Sequence, residues 1–343
     1  MGNIIIHLKH CYITNSDDVW NVFYCGIHYE LKFKHGEFDE GKVIAISSGK
    51  YHADHDTFLA WLSVFFGEDC TDPFQREDTR HSFNRGGFSA SQQQLQEFLD
   101  VVFKKENNYS SAWEKALFGQ AMNYYLVGLR NGISMMPLTI GFFGLSMECI
   151  GNLVSDQNST YFTLGTFRFN KLVNDRFESF KKDKEHGSAF KAWQKEIEAD
   201  SKLVHAIRNA VYGHSFLHIE KERKAIVAHL HKWLKRAGAS DNDAAFWFKV
   251  ERLEMDLQIH ADGLYKIGAR SSRLLIFLYL GIVAYIPFAE YDYRPFGDAP
   301  KNRTLKFDGM SISISAKEVS TIDRSEENGM RTDSFNMGNS NKT

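Results

Sequence analysis

A long run of helical periodicity, which begins at Ser110, constrains the fold of this 343-residue chain more than any other feature. From there to about residue 286, apolar side chains recur at intervals of three and four positions, the spacing of amphipathic helices. One segment of the run, MMPLTIGFFGLSMECIGNLV, is apolar almost all round and is predicted to be a central helix. The sequence therefore predicts a mainly α protein with a helical bundle over residues 107–290.

Capping signals and periodicity locate the helices within the bundle. Ser111 and Glu114 form the Ser-x-x-Glu pattern of a capping box, which predicts a helix start at this point. Another helix is predicted to carry the segment KLVHAIRNAVYGH, after a charged connection. Further helices are predicted over residues 164–182, 217–236, 241–262 and 266–286.

The first 106 residues have a different pattern. Three segments rich in β-branched and aromatic residues, NIIIHLKHCYIT, VWNVFYCGIHYELKFK and KVIAISS, are strand-like, and KHGEFDEGK between the last two predicts a hairpin turn. Two helices are predicted to follow, over residues 55–68 and 89–105. We therefore expect residues 1–106 to form a smaller, β-rich α+β module that precedes the bundle.

The C-terminal part of the chain departs again from the helical pattern. After Pro287 the composition favours a strand or hairpin extension over residues 291–316. Residues 317–343 contain almost no apolar side chains, so we expect a disordered tail there.

Composition excludes some classes of protein. Hydrophobic residues make up 43% of the chain, which is enough for a sizeable core, and the net charge of −2 neither favours nor opposes a nucleic-acid partner. The four cysteines have no C-x-x-C spacing, so neither a zinc ribbon nor a redox motif is indicated. No Walker, dinucleotide-binding, G-x-S-x-G or kinase motif occurs.

Two apolar segments bear on where the protein resides. The apolar run near the N-terminus is too short for a signal peptide, which favours a cytoplasmic location. The segment LLIFLYLGIVAYIPFA, residues 274–289, has sixteen residues without a charge, fewer than the roughly 20 that span a bilayer. A fully buried helix is therefore predicted; a membrane-peripheral or host-interaction protein is the alternative.

The segment KLVHAIRNAVYGHSF contains the residues of greatest chemical interest. Arg208 is followed by Asn209, and His214 lies six residues after the arginine. Comparable spacings occur in two other segments, Arg76 to His81 and Arg223 to His229. Only Arg208 is followed by an amide residue and also lies late in the predicted bundle.

This segment resembles the Arg-x4-6-His motif of the HEPN superfamily, helical domains that dimerise and in many members cleave RNA without a metal. FFGLSMECIGNLV, with Glu148 in an apolar helix, resembles a helix of the abortive-infection (Apea-like) branch. The resemblance covers about residues 110–290. It implies a homodimeric endoribonuclease in bacterial defence against phage, with no cofactor and an N-terminal module that senses a phage-derived or host trigger or selects RNA.

The residue types suit that chemistry. RNA cleavage without a metal needs a base for the 2′-hydroxyl, an acid for the leaving oxygen and a cation on the phosphorane-like transition state. Two protomers would supply both His214 imidazoles and both Arg208 guanidiniums and would leave a 2′,3′-cyclic phosphate. Asn209 would hold the geometry or contact the ribose, and supporting residues would be Glu148, Tyr212 and His218.

Other interpretations stay open for the same residues. Arg208 could be exposed at an ordinary helix end, with His214 capping the last carbonyls. A HEPN-like fold without catalysis could instead serve as a dimerisation or nucleic-acid-binding scaffold. Lys and Arg outnumber Asp and Glu by 13 to 7 between residues 181 and 236, which suits phosphates or a solvated helical face.

HADHD offers metal ligands in His52, Asp54 and His55, although an aspartate there also suits the cap of a helix that begins near Thr57. His214 and His218 are four residues apart, but the glutamate of an HExxH zinc site is absent. No metal is therefore expected at the Arg208 site.

Overall fold

The protein is mostly helical, with a small antiparallel sheet near the N-terminus. A computed structural model describes residues 4–8, 19–35, 42–47, 54–67, 69–70, 92–154, 187–213, 220–236, 240–282, 288–289, 302–308 and 311–317. The predicted helix over 164–182 and nearly all of the predicted tail lie outside these residues.

The N-terminal sheet has four antiparallel strands in the order β1-β4-β3-β2. The strands are β1 (Ile4–Leu8), β2 (Val19–Tyr24), β3 (Ile27–His35) and β4 (Lys42–Ser47). The predicted hairpin between β3 and β4 is confirmed by the pairing of His35 with Lys42.

The segment VWNVFYCGIHYELKFK folds as two strands joined by a turn that the sequence did not predict. Cys25 and Gly26 form this turn with φ angles of 51° and 74°. Left-handed conformations at both central residues are typical of the tightest hairpins, and they are uncommon for a cysteine.

Strand β2 is an edge strand whose outer side is covered by glutamines of helix α2 (Gln92–Glu106). The Gln92 side chain accepts a hydrogen bond from the Asn21 amide at 3.0 Å. Gln96 accepts from the Phe23 amide at 2.8 Å and donates to the Phe23 carbonyl at 3.0 Å. Because these bonds satisfy backbone groups of the edge, they oppose its pairing with another chain.

The other helices largely follow the predicted periodicity. They are α1 (Asp54–Phe66), α3 (Ala112–Asn131), α4 (Leu138–Val154), α5 (Gly187–Arg208), α6 (Glu220–Arg236), α7 (Asp241–Trp247), α8 (Leu253–Ile259) and α9 (Ala261–Leu280). Ser111 caps α3 as predicted, accepting from the Glu114 amide at 3.1 Å, but the Glu114 carboxylate accepts from Ser110 rather than from Ser111.

Three helix predictions were wrong in extent. The helix predicted over 266–286 begins earlier, at Ala261, and ends at Leu280, before Gly281 with its left-handed backbone. Helix α5 begins at Gly187, so it includes much of the predicted charged connection. The helix predicted over 241–262 is broken into α7, a 3₁₀ turn at Val250–Arg252, and α8. The buried carboxylate of Asp256 accepts from the Lys249 amide at 2.9 Å, and this contact favours a break over a continuous helix.

Helix α4 lies at the centre of the bundle, as predicted, and contacts α3, α5 and α9. Its Phe143 ring packs against Gly128 of α3 and Gly268 of α9. A Cβ at either glycine would approach a Phe143 atom to 2.6 Å. These glycines let the backbones of both neighbouring helices approach the aromatic ring closely.

The uncharged segment 274–289 is only partly the buried helix that the sequence predicts: α9 ends at Leu280, and Phe288–Ala289 form a short strand. Leu274 to Leu278 of α9 are all buried. Among the described residues, no helix combines the length and the apolar character needed to cross a membrane.

A second sheet follows, with strand order β5-β6-β7, and β6 and β7 pair within the region predicted to form a hairpin. Its strands are β5 (Phe288–Ala289), β6 (Asn302–Asp308) and β7 (Ser311–Lys317).

The helices before residue 106 share a hydrophobic core with the bundle. The Phe98 ring of α2 lies 5.3 Å from the Phe277 ring of α9, measured between centroids. Trp61 of α1 stacks on Phe118 of α3 at 5.9 Å. The domain boundary near residue 106 stays a prediction. Helices α1 and α2, before it, are in direct contact with α3 and α9 of the bundle.

Removal of the Phe98 ring should lower the stability of the whole protein. Phe98→Ala leaves a cavity between α2 and α9, so we expect the free energy of unfolding in urea to fall by about 3–5 kcal/mol. Phe103 lies on the same helix but is 44% exposed, so Phe103→Ala is the matched control with a much smaller effect. An equal loss in both variants would contradict the shared core.

Candidate functional site

The candidate site lies where α5 contacts α4. Arg208 is the last residue of α5, and its Nη2 donates to Oε2 of Glu148, which lies in α4. The Arg208 and Glu148 side chains are only 19% and 14% exposed. Two residues that the sequence singled out separately, 60 positions apart, therefore form one ion pair.

Gly144 provides the space that the arginine occupies. It precedes Glu148 by four residues, so the two positions share a face of α4. A Cβ at Gly144 would lie 2.6 Å from Cβ and 2.9 Å from Cγ of Arg208, closer than real side chains approach. One face of α4 thus accommodates the stem of Arg208 at Gly144 and binds its guanidinium at Glu148.

Asn209 and His205 extend the ion pair into a chain of polar contacts. Nη1 of Arg208 donates to Oδ1 of Asn209 at 2.9 Å. Nδ2 of Asn209 lies 3.0 Å from Nε2 of His205, one helical turn earlier on α5. The order of contacts is Glu148, Arg208, Asn209, His205, and all four side chains are partly buried.

The backbone changes its geometry directly after Arg208. Residues Asn209–Gly213 form a π-helix, a rare conformation that is found mostly as a single turn and frequently at functional sites. Its hydrogen bonds join residues five apart, and His214 is five residues after Asn209 in the sequence. His214, His218 and the side chain of Tyr212 lie outside the described residues.

Burial and positive neighbours shape the electrostatics of this site. Burial lowers the pKa of the Arg208 guanidinium, which nevertheless remains charged at physiological pH. Burial also lowers the pKa of His205, and its neighbour His229 of α6 lowers it further. The pKa of His229 is lowered first by burial and then by Lys232, Lys202 and Arg236. Neutral imidazoles are therefore favoured on this side of α5.

A second ion network anchors α5 at a distance from the site. The buried Asp200 binds Arg236 of α6 at 2.6 Å and also Arg270 of α9. Because one carboxylate receives both guanidiniums, it ties three helices together. We assign this network to the support of α5, eight residues before Arg208.

The structure brings together three of the predicted site residues, Glu148, Arg208 and Asn209. Arg208 is not the exposed helix-end residue of the alternative interpretation, since it is largely buried and is ion-paired. The roles of His214, Tyr212 and His218 stay predictions.

The weaker metal alternative combined His52, Asp54 and His55. Helix α1 begins at Asp54, earlier than predicted, so both aspartates lie in its first turn rather than at a cap near Thr57. Asp54 is exposed, whereas His55 is buried beside the Tyr29 ring. His52 lies outside the described residues, within which no cluster of three or more potential ligands is arranged to hold a metal ion.

Two residues of the site were not found from the sequence. His205 precedes Asn209 by four residues, which places both on one helical face. Gly144 precedes Glu148 by the same interval. In each case the i, i+4 spacing shows that the two residues share a helical face. That this face belongs to the site follows only from the packing of α4 on α5.

Comparisons of the chain with protein-family models, with curated proteins and with solved structures find no significant match.

Addition of one methyl group at Gly144 should displace Arg208. We expect Gly144→Ala to lower the free energy of unfolding by about 1–3 kcal/mol, because its Cβ meets the arginine stem at 2.6 Å. Gly119→Ala on α3 is the control: no atom lies within 4 Å of its added Cβ, and alanine favours a helix. The close packing would be refuted if urea unfolding showed Gly144→Ala to be as stable as the control.

Proposed function

We propose that this chain is a metal-independent endoribonuclease of the HEPN type, which acts as a homodimer in bacterial defence against phage. The observation that supports this proposal is the Glu148–Arg208–Asn209 network. It joins the two sequence segments that resemble the superfamily, one on α4 and the other on α5. The helical bundle around them is compatible with a HEPN-like fold.

In this proposal Arg208 is the cation that meets the phosphate. Its guanidinium has five N–H donors, and two of them are used in the bonds to Glu148 and Asn209. A guanidinium held in place by such bonds needs little rearrangement to stabilise the charge of a phosphorane-like transition state. Glu148 and Asn209 are then positioning residues that fix the direction of the guanidinium.

His214 would provide the proton transfer. It follows the π-helix Asn209–Gly213 directly in the sequence, and we assign it to the same site as Arg208. One imidazole removes the 2′-hydroxyl proton while another protonates the leaving 5′-oxygen, which requires the His214 residues of two protomers. Cleavage then leaves a 2′,3′-cyclic phosphate and a 5′-hydroxyl.

A second candidate function is a HEPN-like scaffold that dimerises or binds nucleic acid without cutting it. The observation that favours it is the degree to which Arg208 is already neutralised by Glu148 and withdrawn from solvent. Charge pairs of this kind also occur in purely structural roles. The scaffold predicts RNA or partner binding that does not depend on His214.

Replacement of His214 should separate the two candidates. We expect the purified wild-type protein to cleave RNA in the presence of EDTA and His214→Ala to lose activity by about 100-fold to 10,000-fold, the usual contribution of an acid–base group. Product ends are identified by their resistance to phosphatase until the cyclic phosphate is opened by acid. His81→Ala, which alters a comparable Arg-x-His spacing elsewhere in the chain, should cleave normally.

Circular dichroism and light scattering must show that His214→Ala keeps the fold and the dimer. Undiminished cleavage by a folded His214→Ala dimer would overturn the assignment. RNA binding without any product from the wild type would favour the scaffold.

A further inference from the structure

His205 occupies the end of the polar chain that begins at Glu148. Its Nε2 lies 3.0 Å from Nδ2 of Asn209. Its Nδ1 is buried and has no hydrogen-bond partner among the described residues. This half-buried imidazole contacts Asn209, the residue directly after Arg208, and can therefore determine how the Asn209 amide is oriented.

The hydrogen-bond donors define that orientation. Arg208 has only donors, so the atom of Asn209 that faces it must be the amide oxygen, Oδ1. The amide nitrogen of Asn209 therefore faces His205 and donates to its Nε2. An imidazole nitrogen accepts a hydrogen bond only when it carries no proton, so His205 is neutral with its hydrogen on Nδ1.

Protonation of His205 would reverse this arrangement. An Nε2–H group would face the NH₂ group of Asn209, donor against donor. Rotation of the amide would relieve that conflict, but it would turn the NH₂ group toward the guanidinium of Arg208. The oxygen that now accepts from Nη1 would be lost, and with it one of the two bonds that fix Arg208.

The charged groups around His205 favour its neutral form. From α6, His229 is close enough to disfavour a second positive charge, and it is itself near Lys202, Lys232 and Arg236. From α4, the negative charge of Glu148 is taken up by Arg208. From α9, Arg270 is paired with Asp200, five residues earlier on α5.

We propose that His205 is a positioning residue of the Arg208 site: its neutral, Nδ1-protonated imidazole orients the Asn209 amide, which in turn orients the guanidinium. The catalytic consequence rests on the proposed ribonuclease function. Folding lowers the pKa of His205, so its neutral form stabilises the folded protein. This stabilisation is fully present above the pKa that the histidine has in the unfolded chain, and it is lost as the pH falls through the pKa in the folded protein.

Two substitutions of similar size test the role of the acceptor atom. His205→Gln offers a carbonyl oxygen to Asn209 at every pH, whereas His205→Leu offers none. We expect His205→Gln to keep most of the RNA-cleaving activity at neutral pH and to lose activity less steeply on the acid side than the wild type. His205→Leu should lose about 100-fold, the effect of a catalytic group displaced by about 1 Å. Equal activities of the two variants would overturn the role.

A second measurement does not depend on cleavage. Nitrogen NMR of ¹⁵N-histidine-labelled protein, with the His205 signal identified by its absence from His205→Gln, reports which ring nitrogen carries the proton. The Nδ1–H form is expected, and an Nε2–H form or an imidazolium at pH 7 would overturn the inference even if RNA is cleaved. The Nδ1–H form in a wild type that cleaves no RNA would support the hydrogen-bond chain and refute the ribonuclease function.

Discussion

The ion pair between Arg208 and Glu148 is the interaction on which the arrangement of the site depends. Removal of two charges from water costs several kcal/mol per ion, and close geometry with further hydrogen bonds is needed to offset it. Here Gly144 lets the arginine approach, and Asn209 provides the further hydrogen bond. Replacement of such a pair by apolar side chains of similar size is often neutral or stabilising, so we assign the pair to the register of α5 on α4 rather than to stability.

Contacts elsewhere on both helices support that register. Helix α4 is held on two sides, because Phe143 packs against glycines of α3 and α9. Helix α5 is held at a second point by the Asp200 network, eight residues before Arg208. Arg208 lies on one of these helices and its partner Glu148 on the other, so the guanidinium is already oriented before a substrate binds. Such preorganisation is what the electrostatic stabilisation of a transition state requires.

Local sequence signals were sufficient for α1, α3 and α4, since apolar periodicity and caps determine helices whose faces are buried. Glu148 could be singled out because it is a lone carboxylate in an apolar segment. The break before Val250 could not be predicted, because it coincides with a contact from the Asp256 side chain. His205 and Gly144 were missed for a related reason: each acquires its role only through the contact of α5 with α4.

Cleavage of a defined RNA by Arg208→Lys tests most directly whether the ion pair serves catalysis or only the fold. Lysine keeps a positive charge for Glu148, but it lacks the planar fork that serves Glu148, Asn209 and a phosphate together. We predict a folded dimer whose cleavage in EDTA falls by about 100-fold or more, the effect of losing one transition-state donor. Cleavage by Arg208→Lys at the wild-type rate would contradict the role assigned to Arg208.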